Sequence, residues 1–162
     1  MKKHIVLLLS LFVVVAAPAR ADKISIGPAD FMDPGDASDA LGIGGWCEYV
    51  YKDTEMGNLY APVHLPDGCV IMNIRLVYFD TDADDDVDCH LIRRNKFSGA
   101  TQPLFSTSSS GFLAGSRSIV DSSCVPASNR LVNNGACTYF INLYFSDWGT
   151  DLRVYSVTIE YQ

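Results

Sequence analysis

The chain has 162 residues and a formal net charge of −7, with 12 Lys and Arg against 19 Asp and Glu. This length fits one domain with a substantial hydrophobic core. The excess of acidic groups argues against nucleic-acid binding, which needs clustered positive charge for the phosphates, and against attachment to anionic membranes.

The first 21 residues have the layout of a secretory signal peptide. Lys2 and Lys3 precede an apolar run over residues 5–17, and Ala19-Arg20-Ala21 places small residues where signal peptidase reads them. The run is also shorter than the about 20 residues of a membrane-spanning helix. We predict cleavage after Ala21 and a secreted or periplasmic domain over residues 22–162 without a membrane span; an uncleaved N-terminal anchor is the alternative.

The predicted mature chain is more acidic than the whole sequence. The leader holds three of the 12 cations and none of the acids, so the remaining 141 residues carry a formal charge of −10. Such a charge helps an exported protein to stay dispersed.

Short β-branched and aromatic segments separated by turn residues dominate the mature part, and no long helical period occurs. The predicted strands, in chain order, cover residues 23–26, 46–51, 59–63, 70–80, 87–94, 103–107, 116–121, 136–145 and 152–161, with an irregular lead-in up to residue 45. The clearest apolar face, with a two-residue period, consists of Val70, Met72, Ile74, Leu76 and Tyr78. This pattern predicts an all-β fold: a single-domain antiparallel β-sandwich or jelly-roll.

Six aspartates crowd the turn over residues 80–88, and such density repels unless a hard cation relieves it. The spacing opens like an EF-hand loop, but position six is Asp85 instead of Gly and position twelve is Leu91 instead of Glu. The candidate Ca²⁺ ligands are Asp80, Asp82, Asp84 and Asp86. The favoured interpretation is a solvated turn without a cofactor, whose charge discourages edge pairing.

Aromatic side chains are the second candidate feature. Most are expected to pack in the core or across strands. Trp148, in the turn Ser146-Asp147-Trp148-Gly149, is the candidate sugar-stacking residue because a turn exposes it.

All five cysteines lie in the predicted mature part, and export favours disulfides between them. A zinc site is not expected, because the sequence has no Cys-x-x-Cys pair. Cys124 and Cys137 flank a turn-rich loop and are the candidate pair; a bridge there would contribute about 3 kcal/mol. Cys47 with Cys69 or Cys89 remains open. Because five is odd, one thiol is left over or bonds another chain.

A resemblance appears at Ala61-Pro62-Val63-His64-Leu65-Pro66-Asp67-Gly68, at Tyr78-Phe79-Asp80 and at Leu91-Ile92-Arg93, with a matching lead-in over residues 26–31. These segments resemble a diffuse group of small secreted bacterial β-sandwich proteins that share an Ala-Pro-Val-x-Leu-Pro-x-Gly segment and have no characterised function. The resemblance implies a small exported β-domain without catalytic residues. Cys69, in place of a small apolar residue, and the acidic turn depart from the group.

No catalytic arrangement stands out in the sequence. His64 and His90 are the mature chain's only histidines, and the serines at 106 and 108–110 lack a Gly-x-Ser-x-Gly elbow. Carboxylates crowded into one turn do not flank a substrate as glycoside hydrolysis requires. We predict a non-enzymatic structural or interaction module with a protein or glycan partner; the alternatives are a glycan-binding domain, with or without Ca²⁺, and a hydrolase.

Overall fold

The computed structural model describes residues 21–34, 41–110, 113–122 and 129–162, so the predicted signal peptide lies almost entirely outside the described residues. The strands are β1 (Asp22–Ile26), β2 (Leu41–Gly44), β3 (Tyr49–Lys52), β4 (Gly57–Val63), β5 (Ile71–Asp80), β6 (Val87–Asn95), β7 (Thr101–Ser108), β8 (Leu113–Asp121), β9 (Cys137–Phe145) and β10 (Leu152–Tyr161). A short 3₁₀ helix covers Pro28–Asp30. Within the described ranges, no helix has the length and apolarity needed to span a membrane.

The strands form two antiparallel sheets. Sheet A has the order β2-β3-β10-β5-β8, and β1 adds a sixth strand beside β10. Sheet B has the order β4-β9-β6-β7. The all-β prediction of an antiparallel sandwich is therefore confirmed.

Alternate residues of both sheets build one core between them. From sheet B, Leu59, Leu91 and Ile141 are fully buried, and from sheet A, Ile74 and Leu76 meet them. Each such side chain contributes about 1.5–3 kcal/mol through burial. The opposite face of each strand is thereby directed to solvent.

The predicted apolar face of β5 is confirmed at Ile74, Leu76 and Tyr78, but the prediction is wrong at its beginning. Ile71 is fully buried and Met72 only partly so. The register shifts where Asn73 pairs with Glu160 and Ile71 with Tyr161, which leaves Met72 as an extra residue. Such a bulge changes the alternation by one position.

The predicted irregular lead-in contains β2, which pairs with β3 as a hairpin. Trp46, predicted to start a strand, lies instead in the turn between them. A Cβ atom on Gly42 would lie 2.2 Å from the ring of Tyr51, and one on Gly44 would lie 2.1 Å from the ring of Tyr49. Any residue with a Cβ atom would therefore clash with a tyrosine ring, which explains why glycine, otherwise rare in strands, occupies both positions.

A buried polar cluster joins the sheets where β5 ends. Asp80 is completely buried, and its carboxylate accepts hydrogen bonds from Ser109 Oγ at 2.6 Å and from the backbone N–H of Asp82 at 3.0 Å. Ser109 Oγ in turn accepts the backbone N–H of Val87 at 2.9 Å and lies 3.2 Å from a carboxylate oxygen of Asp86. Burial is the main cause that raises the pKa of Asp80, because it penalises the charged form.

The Asp80 carboxyl predicts a pH dependence of stability. A carboxyl whose pKa is raised by folding favours the folded state below its unfolded pKa of about 4, and this contribution is lost as the pH rises through the folded pKa. We expect Asp80→Asn to gain unfolding free energy relative to the wild type between about pH 4 and pH 7, as measured by urea denaturation. Asp84→Asn, at an exposed position of the same turn, is the control. If the difference in unfolding free energy between Asp80→Asn and the wild type stayed constant over this pH range, a raised pKa of Asp80 would be contradicted.

Candidate functional site

The outer face of sheet B carries partly exposed aromatic and polar side chains. Because side chains alternate along β4, β6 and β9, those between the buried positions point away from the core. This surface, called here the sheet B face, consists of Asn58, Tyr60 and Pro62 from β4; Asp88, His90, Ile92 and Arg94 from β6; and Thr138, Phe140, Asn142 and Tyr144 from β9.

An aromatic pair lies on the sheet B face. The rings of Tyr60 and Phe140 are 5.8 Å apart between centroids and inclined by 55°, and both are partly exposed. Met32 extends the apolar surface beyond β4, where two backbone hydrogen bonds of 2.8 Å join it to Tyr60. The depression at this place has a volume of about 510 Å³ and is lined by Met32, Tyr60, Pro62, Arg94, Thr101, Thr138, Tyr139 and Phe140.

A polar row crosses the same face next to the aromatic pair. Asn142 stands opposite Tyr60 on one side and His90 on the other. His90 Nδ1 lies 2.9 Å from Ser106 Oγ on β7. The Oδ1 atom of Asn142 is buried and has no hydrogen-bond partner among the described residues. This row supplies donors and acceptors beside an apolar surface.

The His90–Ser106 contact brings together the two residue types of a nucleophile and its base. The Ser106 backbone N–H donates to Asp121 Oδ2 at 3.1 Å, which anchors the strand. Within the described ranges, no side chain hydrogen-bonds the other ring nitrogen of His90 and orients the ring as a catalytic triad does. His90 and Ser106 can thus hydrogen-bond each other or a ligand.

The structure distributes the predicted calcium ligands differently. Asp80 is directed inward to Ser109, and Ser109 also lies near the Asp86 carboxylate. One Asp82 carboxylate oxygen accepts the backbone N–H groups of Asp84 and Asp85 at 2.9 and 3.1 Å. The turn thus uses several of its own carboxylates as internal acceptors.

One group of carboxylates in the described residues has spacing suited to a cation. Oxygens of Asp82, Asp85 and Asp147 all lie within 4.8 Å of one another. Of the four predicted ligands, only Asp82 belongs to this group. Asp147 comes from the β9–β10 turn, which the local spacing of the acidic segment does not reveal. The role of any of these residues in metal binding stays a prediction.

Trp148 lies in the β9–β10 turn, immediately after Asp147, and 59 % of it is exposed. The turn is held to the end of β3 because the Gly149 N–H donates to the Lys52 carbonyl at 2.7 Å. Gly149 has a φ of +104°, which favours glycine. Trp148 is therefore available to a ligand at the acidic end, and its binding role stays a prediction.

The outer face of sheet A carries aromatic residues that partner one another. The guanidinium of Arg153 lies 4.9 Å from the ring centroid of Tyr49 and 4.6 Å from that of Phe79. Tyr49 also contacts Tyr51 and Tyr155, with centroids 6.0 and 5.9 Å away. These contacts confirm that aromatic residues here serve cross-strand packing.

Four of the cysteines lie among the described residues, and no disulfide joins any two of them: Cys47, Cys69, Cys89 and Cys137. Cys47 is exposed in the β2–β3 turn, whereas the other three are buried. Cys124 lies outside the described residues, so its bridge to Cys137 stays a prediction. Burial raises the pKa of the Cys89 thiol, which keeps it protonated.

No protein-family model matches the chain, and no curated protein matches it significantly. Solved structures do resemble it. The C-terminal CBM6 of LamC, a marine laminarinase from Zobellia galactanivorans, aligns over 85% of this chain and 98% of that chain, with a TM-score of 0.54 and 15% identity. A family two carbohydrate esterase from Cellvibrio japonicus aligns over 88% of this chain and 35% of that chain, with a TM-score of 0.48 and 7% identity. The likeness to the first structure establishes the fold: the chain is a β-sandwich of the shape found in that carbohydrate-binding module.

Proposed function

We propose that the protein is a non-enzymatic, secreted or periplasmic module that binds glycans on the sheet B face. The observation that carries this proposal is the partly exposed Tyr60–Phe140 pair in a depression of about 510 Å³. The fold likeness to a CBM6 supports the same class of ligand. The sequence left a protein or a glycan open as the partner of this module, and we propose the glycan.

The chemistry of a sugar matches both parts of this surface. A pyranose ring has an apolar C–H face, which an aromatic side chain covers at a low cost in conformational entropy. Its hydroxyl groups donate and accept hydrogen bonds, as do the side chains of Asn142, His90 and Ser106 beside the rings.

The aromatic pair gives the main test of the proposal. Tyr60→Ala and Phe140→Ala should each weaken glycan binding at least about tenfold, because aromatic side chains that a ligand covers dominate the binding energy of such interfaces. Binding to a panel of neutral and acidic polysaccharides is measured by affinity electrophoresis and then by calorimetry, with thermal melts to confirm folding.

Trp148→Ala is the matched control, since it removes an exposed aromatic residue from the acidic end. We expect this variant to bind as the wild type does. Loss of binding in Trp148→Ala but not in Tyr60→Ala would assign the site to the acidic end instead. A wild-type protein that binds no glycan in the panel would refute the proposed function.

The acidic group gives a separate prediction. Three carboxylates within 4.8 Å repel one another, so Asp147→Asn should raise the Tm by about 2 °C in calcium-free buffer. Glu55→Gln, which removes an exposed charge outside the group, is the control. The sequence favours a solvated turn that binds no Ca²⁺, and on that interpretation added CaCl₂ leaves the wild-type Tm unchanged. A calcium-dependent rise that Asp147→Asn abolishes would instead support a Ca²⁺-dependent module.

A further inference from the structure

Arg94 stands at the end of the sheet B face and lines the same depression as Tyr60 and Phe140. No hydrogen bond, ion pair or ring contact joins its guanidinium to any residue that the structure describes. Several other cations of the domain are engaged: Lys52 with Asp33 at 2.5 Å, for example, and Arg93 with Gln102 at 2.5 Å. Arg94 therefore offers its full set of donors to a ligand.

The surroundings of Arg94 are neutral. Its partners across the sheet are Thr138 on β9 and Thr101 on β7. The acid on the same face of β6 is Asp88, six residues away, which corresponds to about 20 Å along a strand. The residues that line the depression with Arg94 include no carboxylate, although the predicted mature chain has a formal charge of −10.

The negative charge of the domain does not cancel this local site. At physiological ionic strength, exposed charges are screened beyond about 8 Å, so the acidic turn near Asp88 has little effect at Arg94. A guanidinium binds carboxylate and sulfate oxygens through paired N–H groups, and such contacts act at short range. The depression can therefore accept an anion although the whole domain is acidic.

We propose that this depression selects anionic glycans, with Arg94 binding the carboxylate of a uronate or the sulfate ester of a sugar that stacks on Tyr60 and Phe140. This inference rests on the proposed glycan-binding function and names its ligand class. The aromatic pair supplies affinity for the sugar ring, and Arg94 supplies the preference for charge. Uronates and sulfated sugars share the oxyanion that the guanidinium recognises.

The test compares oligogalacturonates, carrageenan oligosaccharides and neutral β-glucan oligosaccharides by calorimetry. The wild type should bind at least one anionic class about tenfold more tightly than the neutral one. Arg94→Gln should weaken binding of the anionic sugar by about tenfold and so remove the preference, whereas Tyr60→Ala should weaken binding of both classes. The preferred anionic class distinguishes carboxylate from sulfate recognition.

Lys96→Gln is the matched control, because it removes the same charge from a residue that does not line the depression and whose ammonium binds the Asn134 carbonyl. This variant should keep the preference. An equal loss in Arg94→Gln and Lys96→Gln would indicate a general charge effect and overturn the role of Arg94. Equal wild-type affinity for neutral and anionic sugars would overturn the inference and leave the proposed function standing, whereas no binding to any sugar would refute both.

Discussion

The alternation of side chains along β9 is the constraint on which both the core and the candidate binding surface depend. This strand lies between β4 and β6, so each residue that it commits to the core leaves its neighbour on the sheet B face. Ile141 and Leu143 are fully buried, while Phe140 and Asn142 face outward between the flanking strands. A slip of one residue would exchange these two sets. Core packing thus positions the aromatic pair with the polar row beside it.

The outer faces of the two sheets both carry aromatic residues and an arginine, but the contacts among these residues differ. On sheet A, Arg153 lies between two aromatic rings, and the cation and rings satisfy one another. On sheet B, the rings of Tyr60 and Phe140 meet each other, and Arg94 stands beyond them without a partner among the described side chains. The first arrangement contributes to the packing of β3 on β10. The second leaves aromatic surface and positive charge accessible, which is why the proposed function is assigned to that face.

Much of the fold followed from the sequence because strands of this length alternate strongly between apolar and polar residues. β6 and β9 were predicted nearly at their true bounds. β2 was missed because its glycines serve the rings of Tyr49 and Tyr51, a requirement visible only once the strands are paired. The candidate binding site was harder to predict from the sequence for the same reason. Tyr60 and Phe140 are 80 residues apart in sequence, and nothing local indicates that β4 pairs with β9. Asp147 joins the acidic group through another such long-range contact.

The position of Cys89 has a consequence for how the chain reaches its folded state. Its side chain is fully buried between the sheets as a free thiol, so the finished sandwich shields it from oxidants. An unfolded chain in the oxidising compartment that the leader predicts has no such shield, and a mispaired bridge to Cys89 would obstruct closure of the core. In that predicted compartment, pairing of β6 with β9 and coverage by sheet A would have to precede oxidation of the thiol.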